Sequence, residues 1–277
     1  MSKIMLAKDY KDLKKELQFP VMCSEKIDGT AADIDSMEAL SRQDKPYLSV
    51  PHIIQELLNI PGAVLGELHI PGMSFKDSSG AIRGHTPDDR IKLGVYDYIT
   101  PLTKSMGYME RIEMLKDLIA RLGLQHVFII PYHIFTTHAE IEEYYSKIVN
   151  SSPLAEGICI RPINHLFQPG KRSWDLLRKK KEDTLDLMVT GFEEAMTPKK
   201  EPKGMVGRVI ISYKGESIGA GAGKLKHSER KALWEEFKAN KYVPKLAEIT
   251  YKPDPSYVAL REARFTRWRD DKTIPDA

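Results

Sequence analysis

Cysteine is scarce. The 277 residues hold two, Cys23 and Cys159, too few for a disulfide framework or a four-cysteine zinc site. Long apolar runs are missing, and nothing approaches the ~18 residues of a membrane-spanning helix. Residues 1–18 mix charges of both signs around no apolar centre, so no signal peptide is expected. These absences predict a reducing, cytoplasmic setting and no membrane partner. Strong net charge is also lacking, with 42 Lys+Arg against 39 Asp+Glu. No internal repeat period is visible.

What is present suits an ordinary globular chain. The sequence is 42% hydrophobic and 29% charged, enough to bury a core. At about 150 residues per domain, the length fits one large or two modest domains. The charge is unevenly spread: residues 1–170 hold 18 basic and 22 acidic side chains, residues 171–277 hold 24 and 17. Such a split suggests that the later part meets a polyanion, although an uneven solvated surface gives the same numbers.

Periodicity predicts helices over 8–18, 50–59, 105–122, 139–149 and 229–239, the last with Ser228 as N-cap. Strands are expected over 21–26, 30–35, 63–70, 91–99, 127–130, 157–160, 185–192, 208–213, 247–251 and 257–265. The first stretch mixes helices and strands; the last is strand-rich with one helix. The expected fold class is therefore α+β: a domain of mixed, mainly antiparallel sheets with helices over 1–185, then a small β-barrel over 186–277.

Several short patterns carry chemistry. Lys26-Ile27-Asp28-Gly29 puts a lysine at a strand end beside an acid and a glycine turn. An amine there becomes nucleophilic once burial or positive neighbours lower its pKa. Gly66-Glu67-Leu68 ends an apolar strand. Glu156 and Arg161 flank the strand Gly157–Ile160. Arg178 and Lys180 would share one strand face, with Lys179 on the other. Two separated carboxylates and a convergent cationic pair are what a nucleotide with Mg²⁺ requires. Each pattern alone reads more readily as an ordinary hairpin or a solvated strand end.

The ordered set resembles the ATP-dependent DNA ligases of the covalent nucleotidyltransferases, most closely the small bacteriophage enzymes. KIDG at 26–29 matches the nucleophile motif, Ser41-Arg42 the second, LGEL at 65–68 the third, and Val95-Tyr96-Asp97-Tyr98 the aromatic motif. EGICIR at 156–161 and LLRKK at 176–180 follow in order. Residues 217–234 resemble the glycine hairpin and helix of the ligase OB-fold, and residues 260–272 the closing motif with Arg269, Asp271 and Lys272. The resemblance implies an adenylation domain followed by an OB-fold, acting as a monomer on nicked double-stranded DNA with ATP and Mg²⁺ or Mn²⁺.

It also implies roles. Lys26 would take AMP from ATP, AMP would pass to the 5′-phosphate of a nick, and the 3′-hydroxyl would expel it. Asp28 belongs to the catalytic motif. Arg178 and Lys180 would hold the α-phosphate, Glu67 and Glu156 the ribose or the metal, and Tyr96 the adenine. Ser24, Glu25 and Arg161 would line the nucleotide site, and Arg42 would contact nucleotide or nick phosphate. Arg269 and Lys272 would orient pyrophosphate when the second domain closes. One departure stands out: position 31, commonly Arg in this family, is Ala, so either Arg42 or Arg83 takes over the contact to sugar or nick, or nick affinity is weaker. RNA ligases, capping guanylyltransferases and a catalytically silent nick-binding protein remain alternatives.

Two other features are read as structural. Gly219–Lys224 lacks the glycine and hydroxyl spacing of a phosphate loop and is expected to be a hairpin. Cys23 and Cys159 are expected to be packing residues.

Overall fold

The computed structural model describes residues 4–277. In chain order the elements are β1 (Leu6–Asp9), β2 (Val21–Glu25), β3 (Thr30–Ile34), β4 (Ala39–Leu40), α1 (Pro51–Leu57), β5 (Ala63–His69), α2 (Phe75–Ile82), β6 (Lys92–Ile99) and α3 (Tyr108–Leu122). Then come β7 (Val127–Ile129), β8 (Tyr132–Phe135), α4 (His138–Ser151), β9 (Gly157–Pro162) and β10 (Arg172–Lys180). The remainder is β11 (Asp183–Met196), β12 (Pro202–Tyr213), β13 (Glu216–Gly221), α5 (His227–Lys238), β14 (Lys245–Lys252) and β15 (Arg261–Trp268). The chain divides into two compact units, with the division between Lys180 and Lys181.

The first unit carries two five-stranded sheets, ordered β1-β10-β9-β2-β8 and β4-β3-β5-β6-β7. Most pairings are antiparallel; β1 with β10 and β6 with β7 are parallel. The outer face of the second sheet buries Ala32, Ile34, Val64, Leu68, Leu93 and Val95 against Ile53 and Leu57 of α1, Ile82 of α2 and Leu115 of α3. Cys23, Ile158, Ile160 and Leu177 of the first sheet pack on Ile141 and Tyr144 of α4. A third cluster joins Ala31, Ala63 and Leu65 of the second sheet to Leu176 of the first. Alternation explains the assignment: neighbours along a strand serve opposite faces.

The second unit is a closed five-stranded barrel, β11-β12-β13-β15-β14. Leu187, Val189, Val209, Ile211, Ala247 and Ile249 fill it. Phe192 of β11 meets Phe237 of α5 edge-on, with ring centroids 5.6 Å apart.

Two local expectations need correction. Residues 8–18 are not a helix: residues 6–9 form β1, and only Tyr10–Asp12 make a single 3₁₀ turn. The spacing of Tyr10, Leu13 and Leu17 is a true burial signal, since all three join the cluster under α4. The backbone is committed elsewhere, because Leu6 to Asp9 register against Arg172 to Arg178. A short apolar period cannot by itself distinguish helix from irregular packing. Ser228 is not the N-cap of α5. Lys226 is, and its N–H donates to Glu229 Oε2 at 2.8 Å, so the carboxylate satisfies the free amide.

Candidate active site

Lys26 sits where the chain leaves one sheet for the other. β2 belongs to the first sheet and β3 to the second, and residues 26–29 link them. Lys26 N–H still donates to Gly157 O at 2.8 Å, which extends the β2–β9 ladder and fixes the lysine backbone. Gly29 lies against the second sheet: a Cβ there would fall 2.3 Å from Leu68 O. Gly157 has φ +137, and a Cβ would fall 2.0 Å from Lys179 O. Both glycines are steric requirements of strands that must approach closely.

The side chains of the predicted set converge on this crossover. Lys26 Nζ is 2.5 Å from Glu156 Oε2, and Lys180 Nζ is 3.4 Å from Glu156 Oε1. Glu156 is buried at 3% exposure. Glu67, opposite Ala31 in the β3–β5 register, is close enough to Lys26, Arg42, Glu156 and Asp28 to feel their charges. Burial and the two other carboxylates outweigh Lys26 and Arg42, and push the Glu67 carboxyl up to about 7.

Lys26 behaves opposite to the sequence-based expectation. Burial pulls its pKa down, but the Glu156 and Glu67 carboxylates outweigh that and hold it above the usual lysine value. The amine at rest is a charged ammonium. The reason is the 2.5 Å ion pair, which favours the protonated form more than desolvation disfavours it.

Arg178 and Lys180 do share one face of β10. Lys179 points the other way, to Glu142 of α4 and the Tyr145 ring. Arg178 is bound by Asp9 of β1, Nε to Oδ1 at 2.8 Å and Nη2 to Oδ2 at 3.3 Å. Burial raises the Asp9 carboxyl, but Arg178 outweighs it and the net pKa lies below the usual range. Sequence reasoning missed Asp9, because parallel pairing of β1 beside β10 has no local signature.

Arg161 is 5% exposed, with its guanidinium 5.4 Å from the Tyr96 ring centroid and 5.0 Å from that of Tyr108. It forms no ion pair with a carboxylate among the described residues. The Tyr96 hydroxyl is buried without a hydrogen-bond partner. A buried arginine lacking a counter-ion and an orphaned phenol are what an absent polar ligand would satisfy. Ser24 is buried on β2. Glu25 is not brought in: alternation turns it to the α4 face, where its charge acts on Tyr144.

Another pair supports the aromatic motif. Asp97, next to Tyr96, accepts from Arg111 of α3, Nε to Oδ1 at 2.7 Å and Nη2 to Oδ2 at 3.0 Å. Arg111 is fully buried and also donates to Met106 O and His165 O. An arginine three residues after Tyr108 on the buried helix face is the sequence signal that was available.

For a divalent cation, Glu67 and Glu156 are the donors at hand. The described residues hold no cluster of three or more His, Cys, Asp or Glu suited to a metal. Two carboxylates suffice for Mg²⁺ where substrate phosphates complete the shell, so the residues fit such an ion with its nucleotide. Burial pushes the Cys23 thiol up to about 12 and also raises that of Cys159, which fits packing roles.

In the second unit Arg269 and Lys272 meet on one acid. Arg269 Nη1 donates to both Asp186 oxygens at 2.8 and 2.7 Å, and Lys272 Nζ to Asp186 Oδ2 at 2.8 Å. Asp271 and Asp276 hold their other sides. Asp186 carries no motif signal of its own in the sequence.

Solved structures share this architecture. A structure described as showing DNA binding with a minimal scaffold in Lig E DNA ligases matches with TM-score 0.77 at 19% identity, covering 97% of this chain and 100% of that one. The fold is that of the ATP-dependent DNA ligases. A Chlorella virus DNA ligase-adenylate matches at TM-score 0.56 and 21% identity over 97% of this chain and 100% of its own. The ligase domain of M. tuberculosis LigD matches at 0.54 and 16%, over 98% and 96%. No protein-family model matches the sequence, and no curated protein matches it. The likeness thus lies in the ligase fold, at identities where sequence comparison alone is silent.

Proposed function

We propose that the chain is an ATP-dependent DNA ligase that seals nicks in duplex DNA, with the barrel an OB-fold and the monomer the active form. The observation that carries this reading is the convergence of Lys26, Glu67, Glu156 and Lys180 at the crossover between two sheets. Nucleotidyl transfer needs positioned charge more than elaborate acid–base chemistry, and this cluster offers positioned charge of both signs.

Lys26 is the nucleophile. It must lose a proton before it attacks the α-phosphate, and the Glu156 carboxylate at 2.5 Å is the adjacent acceptor. Lys180 and Arg178, on one face of β10, steady the phosphate oxygens, and the buried Arg161 adds a third cation. Tyr96 takes the adenine and Glu67 the ribose or metal. Mg²⁺ bound with the nucleotide would neutralise phosphate charge. Arg269 and Lys272 orient the departing pyrophosphate. The activated AMP then passes to the 5′-phosphate of the nick, and the 3′-hydroxyl displaces it.

The test is incubation with α-labelled ATP and Mg²⁺ followed by a denaturing gel. Label retained by the wild type and absent from Lys26→Ala is the expected result; an unlabelled wild type would sink the reading. Nicked DNA duplexes set against nicked RNA, and ATP against GTP, separate a DNA ligase from RNA ligases and capping enzymes.

A further inference from the structure

The edge strand β1 does not keep one register along β10. Leu6 stands opposite Arg172 and Ala7 opposite Ser173, but the next two residues, Lys8 and Asp9, stand opposite Leu177 and Arg178. Had the first register continued, Asp9 would face Asp175, one carboxylate against another. The slip is built by β10 itself. Ser173 Oγ donates to Asp175 Oδ2 at 2.8 Å and accepts the Asp175 N–H at 3.1 Å, and Gln168 Nε2 donates to the same carboxylate oxygen at 2.8 Å. These short-range bonds turn the chain over 173–175, as in a β-bulge. Lys8 Nζ lies 4.0 Å from the centroid of the Trp174 ring and covers the bulged segment.

Asp9 is anchored on its other side too. The 3₁₀ turn Tyr10–Asp12 follows directly, with Leu13 N–H donating to Tyr10 O at 3.1 Å, and Tyr10, Leu13 and Leu17 pack beneath α4. Held between strand and turn, the Asp9 carboxylate meets Arg178 side-on, Oδ1 on Nε at 2.8 Å and Oδ2 on Nη2 at 3.3 Å. Such a pair fixes the plane of a guanidinium, and it does not use Nη1. Arg178 shares its strand face with Lys180, which reaches Glu156 and through it Lys26. The Lys180 charge also acts on Asp9, so the pair belongs to the same cluster. The Arg178 and Asp9 side chains are 31% and 32% exposed, and an ion pair so open to water adds little to stability. What it does fix is direction, because a long side chain without a partner samples several rotamers.

We propose that Asp9 is a positioning residue for nucleotidyl transfer: by clamping one edge of Arg178 it holds the guanidinium plane ready for the α-phosphate. The slipped edge strand is then part of the adenylation machinery. The inference rests on the ligase reading and adds to it a residue outside every motif. The experiment measures single-turnover self-labelling of the whole chain with α-labelled ATP and Mg²⁺ over a range of ATP concentrations. Asp9→Ala lowers the maximal labelling rate roughly 10- to 100-fold, the scale of a slightly misplaced reacting group. The ATP concentration at half-maximal rate moves less than about threefold, because the loss is in the transition state. Asp9→Asn, which keeps the shape and one acceptor, falls between, and Asp9→Glu restores part of the rate. Adding Asp9→Ala to Arg178→Ala lowers the rate no further, since Asp9 acts through Arg178 alone. The Tm of Asp9→Ala stays within about 4 °C of wild type.

Three outcomes overturn the assignment: an undiminished maximal rate in Asp9→Ala, a loss confined to the half-maximal ATP concentration, or a further loss when Asp9→Ala is added to Arg178→Ala. The last would mark Asp9 as a structural residue. Wild type and Lys26→Ala in the same assay report on the ligase reading. A wild type that takes no label removes that reading and the positioning role with it. A labelled wild type whose rate is indifferent to Asp9 leaves the reading standing and removes the positioning role alone.

Discussion

Glu156 Oε2 lies 2.5 Å from Lys26 Nζ, so the nucleophile is stored as the charged half of a buried ion pair. The same carboxylate reaches Lys180 with its other oxygen at 3.4 Å. One acid thereby ties together the end of β2, the start of β9 and the end of β10. Whatever draws Glu156 toward another cation also loosens its hold on the Lys26 proton.

Glu156→Gln removes the nearer of the two carboxylate charges that raise the Lys26 pKa and leaves burial, which lowers it, opposed by Glu67. The pH at half-maximal self-labelling is therefore expected to fall, although the maximal rate falls too as phosphate neutralisation suffers. Single-turnover labelling from about pH 5 to pH 10, a span that brackets the ordinary carboxylate and lysine ranges, measures this. A half-point that moves upward contradicts the ion-pair assignment.

Glu67 makes stability fall as pH rises. Its carboxyl titrates near 7 when folded against 4.5 unfolded, so between those values the native state holds more protons and each rise in pH favours unfolding. The penalty is absent below about pH 4.5 and complete above about pH 7, where it is on the order of 3–4 kcal/mol at most. Urea unfolding of wild type and Glu67→Gln across this window is the measurement. The variant should gain relative stability above the window, and parallel curves would refute the shift.

Arg111→Met leaves Asp97 buried without its partner and should cost roughly 3–5 kcal/mol. The double change Arg111→Met with Asp97→Asn should recover part of that loss, since both charges then disappear. Chemical denaturation reads both. Equal loss in single and double variants would mean that the bonds from Arg111 to Met106 O and His165 O dominate.

Arg269→Ala and Lys272→Ala should slow self-adenylylation more than sealing of nicks that already carry AMP. Pyrophosphate takes part only in the first step, so equal losses in the two assays would remove that role. Asp186→Asn frees both cations from a shared carboxylate and offers a third variant for the same comparison.

Much of the site is legible because its chemistry travels with local backbone. KIDG, LGEL and EGICIR each join a charged group to the end of a strand, and strand ends carry hydrophobic and glycine signals. Lys26, Glu67, Glu156 and, in LLRKK, Lys180 can be named from sequence because these patterns stand in the order of the family they resemble. The alanine at position 31 is equally plain, but not its surroundings: the Tyr47 hydroxyl on Ala31 O and the Ser49 hydroxyl on Ile82 O come from packing between segments separate in sequence.

The helix expected over 8–18 fails for the same reason. The spacing of Tyr10, Leu13 and Leu17 marks them for burial, yet Leu6–Asp9 is drawn into pairing with β10, and a single 3₁₀ turn over Tyr10–Asp12 follows. Sequence alone determined the α+β class, the mainly antiparallel strands and the residue types able to move a nucleotide, because periodicity and motif chemistry are local. Tertiary structure decided which acid faces which base. Asp9 on Arg178, Asp97 on Arg111, Asp186 on Arg269 and Glu156 on Lys26 set the resting charges. Coulomb energy depends on distance and burial, and neither is written in the order of the residues.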